Sequence, residues 1–456
     1  MKQKTAVQDL TQGNVMKTLI LFSAPFLLSS LLQTLYSTVD MLVVGQFVGS
    51  AGLSATSIAA NLINLAITIC IGFAHAGQVL IAQATGAKQS EQVQSIASTL
   101  AILICASALL IGGAAMVFSR QLLRLLHTPE EAFDLARSYL LTCSAGLIFT
   151  ALYNMISALF RGMGDSRHPF FFVLIASVVN LVLDVLLVGV FRLSVFGAAL
   201  ATVIGQACSV AFSVVFLFRH SEEFHILFRD WRFDGKIAGL LARLGLPMAI
   251  SSSAVNISGL FVSSMVNQLG VGVSAAFGTG QKLGGIPHIV TMAISMGTGA
   301  MVAQNIGAKK FDRTRKTIYS AVLITAVVQF AFTALSLAFP VGIFRLFTQD
   351  EVVLAYARPW IIAMAVASPA MILMTFNGII NGVGDARTSM MIGLTDAFLG
   401  RVLLSYLLGI VLHLGAQGFF LGFTCSAYLT GVPGLLYFLF VKWEKKELLD
   451  KLERPV

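Results

Sequence analysis

Charge is what this chain has least of. Asp, Glu, Lys and Arg make up 11% of its 456 residues, where a soluble globular domain carries about a quarter. So little charge excludes an ordinary water-soluble domain. Cysteine is scarce too: Cys70, Cys105, Cys143, Cys208 and Cys425 are the five, with no CxxC spacing among them. A disulfide framework or a thiolate metal site is therefore not expected. Long polar stretches are nearly absent, residues 219–242 being the exception in mid-chain. Alternation of apolar and polar residues with period two, the mark of a transmembrane barrel, is missing as well.

What is there is hydrocarbon, 57% of residues by count, with a mean hydropathy of +0.86. Apolar runs of about 20 residues recur along the chain, each long enough as a helix to cross a bilayer core of about 30 Å. Lipid offers no partner for loose backbone groups, so with a barrel excluded these runs are helices. The reading is an all-α polytopic membrane protein with twelve spans, near 18–44, 51–76, 96–118, 132–159, 169–190, 196–218, 243–268, 274–300, 317–340, 353–380, 389–411 and 417–441. The first run is too long for a secretory signal and is expected to stay in the membrane. With the N-terminus inside, cytoplasmic segments hold 22 basic residues and outer loops six: Arg120, Arg124, Arg137, Arg192, Arg345 and Arg358. That asymmetry places both termini in the cytoplasm. The net charge of +9 then reads as a topology signal and a match to anionic lipid, with no nucleic-acid footprint.

The chain is written twice. The A-Q-x-x-G-A-K of "VLIAQATGAKQSEQVQ" (79–94) returns in "MVAQNIGAKKFDRTRK" (301–316), and "LLRLLHTPEE" (122–131) returns as "IFRLFTQDEV" (343–352), both 221 residues later. "ARSYL" returns as "ARPWI" at the same offset, and "FRGMGDSR" (160–167) as "INGVGDAR" (380–387) at 220. Pro25 and Pro247 open the two copies. Matches in one order at one offset mark an internal repeat. Six spans per copy, an even number, make the repeats parallel. The expected organisation is an N-terminal lobe (1–218), a cytoplasmic linker (219–242), a C-terminal lobe (243–441) and a cytoplasmic tail (442–456). Transporters of this build carry a substrate cleft between lobes and rock between inward- and outward-open states.

Few acids lie inside the spans: Asp40, Asp184 and Asp396. A carboxylate at the middle of a membrane helix costs about 2.5–3.5 kcal/mol on insertion scales, so it calls for a partner, a wet cavity or a function. Asp40 and Asp184 both fall in the outer halves of their spans, and Thr202 and Tyr139 come to the same depth from two others. Asn180 shares a face with Asp184, and Tyr36 with Asp40, each four residues away. The expectation is a polar pocket in the outer half of the N-terminal lobe. Two acids there repel one another and resist joint ionisation. Such a pair can hold one proton, coordinate Na⁺ or attract an organic cation; the alternative is that each merely staples helices through a hydroxyl.

At the equivalent positions of the second copy stand Val262 and Leu404, so the pocket is not duplicated. That lobe has Lys282, Asp396 and Arg401 instead. Asp396 and Arg401, five apart, are read as a structural ion pair, imperfectly aligned on an α-helix. "GMGD" (162–165) and "GVGD" (382–385) fit the GxGD pattern of intramembrane aspartyl proteases, but both fall at helix ends in symmetry-related loops. Glycine turns with an Asp capping the next helix explain them better.

These residues resemble the multidrug and toxic compound extrusion (MATE) family across nearly the whole chain, within a MATE/MOP-type fold. The carriers are "YSTVDMLVVGQFVG" in the first span, the two "GAK" turns, "FRGMGDSR", "NGVGDAR" and "NLVLD". The branch it looks most like is the prokaryotic one with the DinF-like proteins. The resemblance implies an H⁺- or Na⁺-coupled exporter of lipophilic, mostly cationic compounds, with a coupling site at Asp40, Asn180, Asp184 and Thr202. It makes Tyr139 and the Ala198 carbonyl their neighbours, and Pro25 the point where the first helix bends. Polar groups at Tyr36, Gln33, Gln206, Asn154 and Lys282 are candidates for lining a substrate cavity. The seventh span lacks the glutamate of NorM-type members, which argues against a cation site in the C-terminal lobe. No cofactor beyond the coupling ion and no catalytic set is expected. The expected partners are small organic cations or amphiphiles and membrane lipid, for a monomer in a bacterial or archaeal plasma membrane. A flippase for a lipid-linked precursor is the alternative, and would favour a basic cavity; Lys282 and Arg401 are too few for one. The major-facilitator build is disfavoured because "GAKQSEQ" lacks that family's acidic-basic loop signature.

Overall fold

The computed structural model describes residues 8–221, 231–446, 448 and 449; residues 222–230 of the expected linker, and 447 and 450–456 of the expected tail, lie outside that set. Every regular element among the described residues is helical. Eleven helices are long and apolar enough to cross a bilayer, and one bent pair makes a twelfth. In chain order they are α1 (Val15–Phe47), α2 (Ser50–Gly86), α3 (Ser90–Val117), α4 (Glu130–Ala145 with Leu147–Met163), α5 (Arg167–Val190) and α6 (Ser194–Arg219). The second set is α7 (Gly235–Asn267), α8 (Val271–Gly307), α9 (Phe311–Ala338), α10 (Glu351–Val383), α11 (Ala386–Val411) and α12 (Gly415–Phe440). Side chains such as Leu110 (76% exposed) and Phe440 (77%) cover the outside, a surface that only a bilayer satisfies. The chain is an integral membrane protein.

Some polar residues inside the spans are made harmless locally. Thr34, Thr38 and Thr68 each return their hydroxyl to the carbonyl four residues back, at 2.7–2.9 Å, so these three are not left bare in hydrocarbon. α4 breaks by 47° at Gly146. A Cβ there would stand 2.4 Å from Val203 of α6, so glycine permits the close approach of the two helices.

The repeat is visible in the backbone itself. Left-handed conformations occur in pairs at Gly49 and Gly270, Lys88 and Lys309, Gly164 and Gly384, and Arg192 and His413. The "GAK" motif is thereby explained. Lys88 takes φ +60° while the next N–H, of Gln89, bonds back to Ala84 O at 2.9 Å; Lys309 and Lys310 repeat this onto Asn305 at 2.8 Å. Both are Schellman-type closures that satisfy the last carbonyls of α2 and α8. The GxGD loops are likewise glycine turns. Asp165 Oδ1 accepts the N–H groups of Arg167 (2.9 Å) and His168 (3.2 Å), and Asp385 Oδ1 that of Thr388 (3.3 Å).

By internal contacts the chain divides into two compact units, the first built on Ala24–Ala249 and the second on Leu10–Ser23 together with residues from Ile250 onward. The division thus crosses α1 and α7 rather than falling in residues 219–242. The reason is close packing by small residues. In the first unit, a Cβ on Gly72 of α2 would meet the Gly245 carbonyl of α7 at 2.6 Å; in the second, one on Gly297 of α8 would meet Ser23 Oγ of α1 at 2.2 Å. Pro25 and Pro247 lie within three residues of the two crossing points.

Each unit has its own core. In the first, Val43, Val44, Ala59, Leu140, Val195 and Ala198 surround Tyr139. In the second, Phe277, Phe419 and Phe420 surround Trp360, with ring centroids 5.6 Å (Phe277) and 5.1 Å (Phe420) from the indole. Such aromatic contacts are worth about 0.5–1.5 kcal/mol each beyond area burial.

Candidate functional site

Two acids meet inside the first unit. Asp40 comes from α1, and Asp184 from the point in α5 where the α-helix gives way to a π-wound segment, Val185–Val190. Their carboxyl groups lie within hydrogen-bonding reach of each other. Asp184 is 1% exposed and Asn180, one turn before it, 4%. The Asn180 amide bridges α5 and α6, and its orientation matters. With Nδ2 toward Thr202 Oγ1 (3.3 Å) its oxygen faces only acceptors. Turned by half a revolution, it donates to Asp184 Oδ2 at 3.2 Å and accepts the Thr202 N–H at 3.2 Å. The turned amide pairs both ends, as buried amides do. The Thr202 hydroxyl in turn donates to Ala198 O at 3.1 Å.

α4 supplies the aromatic side of the pocket. Tyr139 is buried beside Asp40 and Tyr36 and hydrogen-bonds Cys143 one turn along. Tyr36 also faces Tyr153. Asp40, Asp184, Asn180, Thr202, Ala198, Tyr139 and Tyr36, drawn from four helices, therefore form one cluster. Sequence reasoning missed Cys143 and Tyr153; the fourfold spacing of Cys143 from Tyr139 was a usable signal, whereas Tyr153 lies beyond a bend that no local pattern announces.

The chemistry of the cluster follows from what is unpaired. Asp40 Oδ1 and Asp184 Oδ1 are buried and receive no N–H or hydroxyl hydrogen among the described residues. Ionised carboxylates only accept, so adjacent bare oxygens call for a proton between them or a small hard cation. The residues present fit either coupling ion.

The other expected positions are more scattered. Gln206, four residues beyond Thr202 on α6, has its Oε1 buried and unpaired. Asn154 donates back to Thr150 O of its own helix at 2.8 Å. Gln33 is exposed, and Lys282, on α8 of the second unit, is exposed with no ion pair among the described residues. The Pro25 carbonyl accepts the Ser29 hydroxyl at 2.8 Å.

In the second unit Val262 is fully buried in the apolar core. Arg401 Nε lies 3.2 Å from Asp396 Oδ2. The poor alignment expected of residues five apart is corrected by the backbone. Asp396–Leu404 is π-wound, and i to i+5 is the π-helical repeat. The repeat offset grows from 220 at Gly164/Gly384 to 221 at Arg192/His413, so α11 absorbs one residue more than α5. α5 has one π-wound stretch and α11 two, Asp396–Leu404 and Leu407–Val411, and a π segment is how a helix takes in such a residue.

Comparison with known proteins agrees with this architecture. The sequence matches the MatE family over residues 25–186 and 247–407. It is 26% identical over 444 residues to the "Probable multidrug resistance protein YpnP" of Bacillus subtilis, covering 97% of this chain and 99% of that one. To YoeA of the same organism, also described as a probable multidrug resistance protein, it is 28% identical over 78% of this chain and 79% of that one. The fold superposes on an outward-facing multidrug resistance MATE family transporter of the MOP superfamily with a TM-score of 0.88. That alignment has 21% identity and covers 98% of this chain and 100% of the other. With one matched segment in each six-helix repeat, the chain belongs to the MatE family, whose members are membrane transporters and not enzymes.

Proposed function

We propose that the chain is a proton-coupled multidrug exporter in which a proton and a lipophilic cation exclude each other at Asp40 and Asp184. The observation that carries this reading is the contact between two carboxyl groups that each keep one oxygen, Oδ1, buried and without a hydrogen to accept among the described residues. A shared proton suits carboxyls in mutual contact; Na⁺ would favour oxygens spread around it. The multidrug resistance names of the relatives support the substrate class. Cargo enters from the cytoplasm, where the basic segments place both termini, and leaves when a proton from outside neutralises the pair. Exchange of one H⁺ for one monovalent cation moves no net charge, so the pH gradient supplies the work. Each pH unit is about 1.4 kcal/mol, or tenfold in cation concentration. Bending of α1 at Pro25, where a backbone hydrogen bond is already missing, accompanies the change in protonation.

The test is efflux of a fluorescent cation from vesicles, driven separately by a pH step and a Na⁺ step. The pH step alone is expected to drive it, and Asp40→Asn to abolish it with expression and melting temperature intact. Efflux that follows only the Na⁺ step would replace the proton, and undiminished efflux by Asp40→Asn would overturn the site.

A further inference from the structure

The second unit contains a partly open cavity of ≈ 220 Å³ lined by residues of α8 to α12. Met364, Met371 and Phe423 give it a soft apolar wall; Trp360, Asp396 and Arg401 give it a hydrogen-bonding one. Trp360 is 2% exposed, and its indole Nε1–H has no acceptor among the described residues. The ring cannot swing away to find one, because Gly280 is pressed to its face so closely that a Cβ there would come within 2.2 Å. Arg401 gives only Nε to Asp396, which leaves both Nη groups of a five-hydrogen donor available. Asp396 has a bare oxygen too, Oδ1, but the equally unpaired hydroxyl of Thr430 stands beside it and can turn to it. Gln281, His288 and Gln329 also line the cavity and can accept as well as donate, but Trp360 and Arg401 bring to it donors that no acceptor holds among the described residues.

The repeat sharpens the point. Trp360 is the counterpart of Tyr139, 221 residues on, so both units place an aromatic hydrogen-bond donor at the same station. In the first unit that aromatic faces an acid pair; in the second, the acids' counterparts are Val262 and Leu404, and a guanidinium lines the cavity instead.

We propose that this cavity binds a single-ring aromatic carboxylate. The carboxylate takes the Arg401 Nη groups and the Trp360 N–H, a charge-assisted arrangement. The ring lies among Met364, Met371 and Phe423, where thioether and aromatic contacts favour it. Size agrees, since a dry cavity of about 150 Å³ accepts benzene and this one is larger by about the volume of a short acid side chain. The inference does not depend on the coupling chemistry of the acid pair.

The experiment is calorimetric titration of the full-length protein in lipid nanodiscs with 3-phenylpropionate, and with 3-phenylpropylamine as the oppositely charged analogue. Saturable binding of the carboxylate is expected, weakened about fivefold by Trp360→Phe and roughly thirtyfold by Arg401→Gln, with no competition from the amine. Trp360→Phe keeps a ring against Gly280, so it decides the matter even if Arg401→Gln fails to fold. No saturable binding to the wild type, wild-type affinity in both variants, or displacement by the amine would each overturn the proposal.

Discussion

At Gly49 and Gly270, Lys88 and Lys309, Gly164 and Gly384, and Arg192 and His413, the two repeats turn their backbones in the same left-handed way. Between those turns they differ. The first repeat holds Asp40 and Asp184 where the second holds Val262 and Leu404, and Tyr139 where the second holds Trp360. The contrast teaches which parts of the chain set the scaffold. Turn residues fix where each helix stops and in which direction the next begins, so a change there displaces whole spans. A residue on the inward face of a helix answers only to its immediate neighbours, and can exchange a carboxyl for a methyl if those neighbours change with it.

The hardest way to break the comparison is to move an acid across it. Val262→Asp puts a carboxylate where Asp40 sits in the first repeat, but among apolar side chains with nothing to pair it. A loss of about 3 kcal/mol is expected, read as a lowered melting temperature in detergent and poor yield. The converse double variant, Asp40→Val with Asp184→Leu, is expected to fold with a melting temperature at or above the wild type, while cation efflux disappears. If Val262→Asp melts as the wild type does, the second core is more open to water than its packing implies.

The scaffold was largely legible in the sequence, because lipid reduces the problem to apolar length: twelve hydropathy runs correspond in order to α1 to α12. The acid cluster was legible too, since carboxylates in hydrocarbon are rare enough to notice and their depths can be counted from the ends of their spans. What escaped depends on contacts between helices. The glycine alone does not announce a 47° break at residue 146, and the reason no Cβ fits there, Val203, stands on another helix. The π winding of α11 shows only as a one-residue change in the repeat offset. That the first turns of α1 pack with the second unit rests on Gly297, some 270 residues away, beyond any periodicity.

A smaller effect separates Ala59 from its counterpart Gly280. Gly280→Ala would drive a methyl into the Trp360 ring, and overpacking of this kind costs about 1–3 kcal/mol. Ala59→Gly, the reverse exchange in the first repeat, only loosens a helix, by about 1 kcal/mol. Paired melting curves are expected to show the first variant falling further. Equal losses would mean that the indole gives way more readily than its packing against Phe277 and Phe420 implies.

The smallest difference lies in the paired loops. Asp165 is joined by His168 of its own helix, whereas Asp385 holds Lys446 and accepts the Tyr437 hydroxyl at 3.1 Å. Burial pushes the Asp385 carboxyl up, yet the Lys446 ammonium and the Thr388 N–H outweigh it and hold the carboxyl below its ordinary value. A depressed folded value means that the contact stabilises fully above the unfolded carboxylate range, near pH 4. That stabilisation is lost as pH falls through the lower folded value. Lys446 is half exposed, so the effect is about 1 kcal/mol or less. Below pH 4 the wild type is therefore expected to lose slightly more melting temperature than Asp385→Asn, which has no such charge to lose. Identical acid limbs for the two would show that Asp385 serves its turn only as a cap and that its contact with Lys446 carries no electrostatic weight.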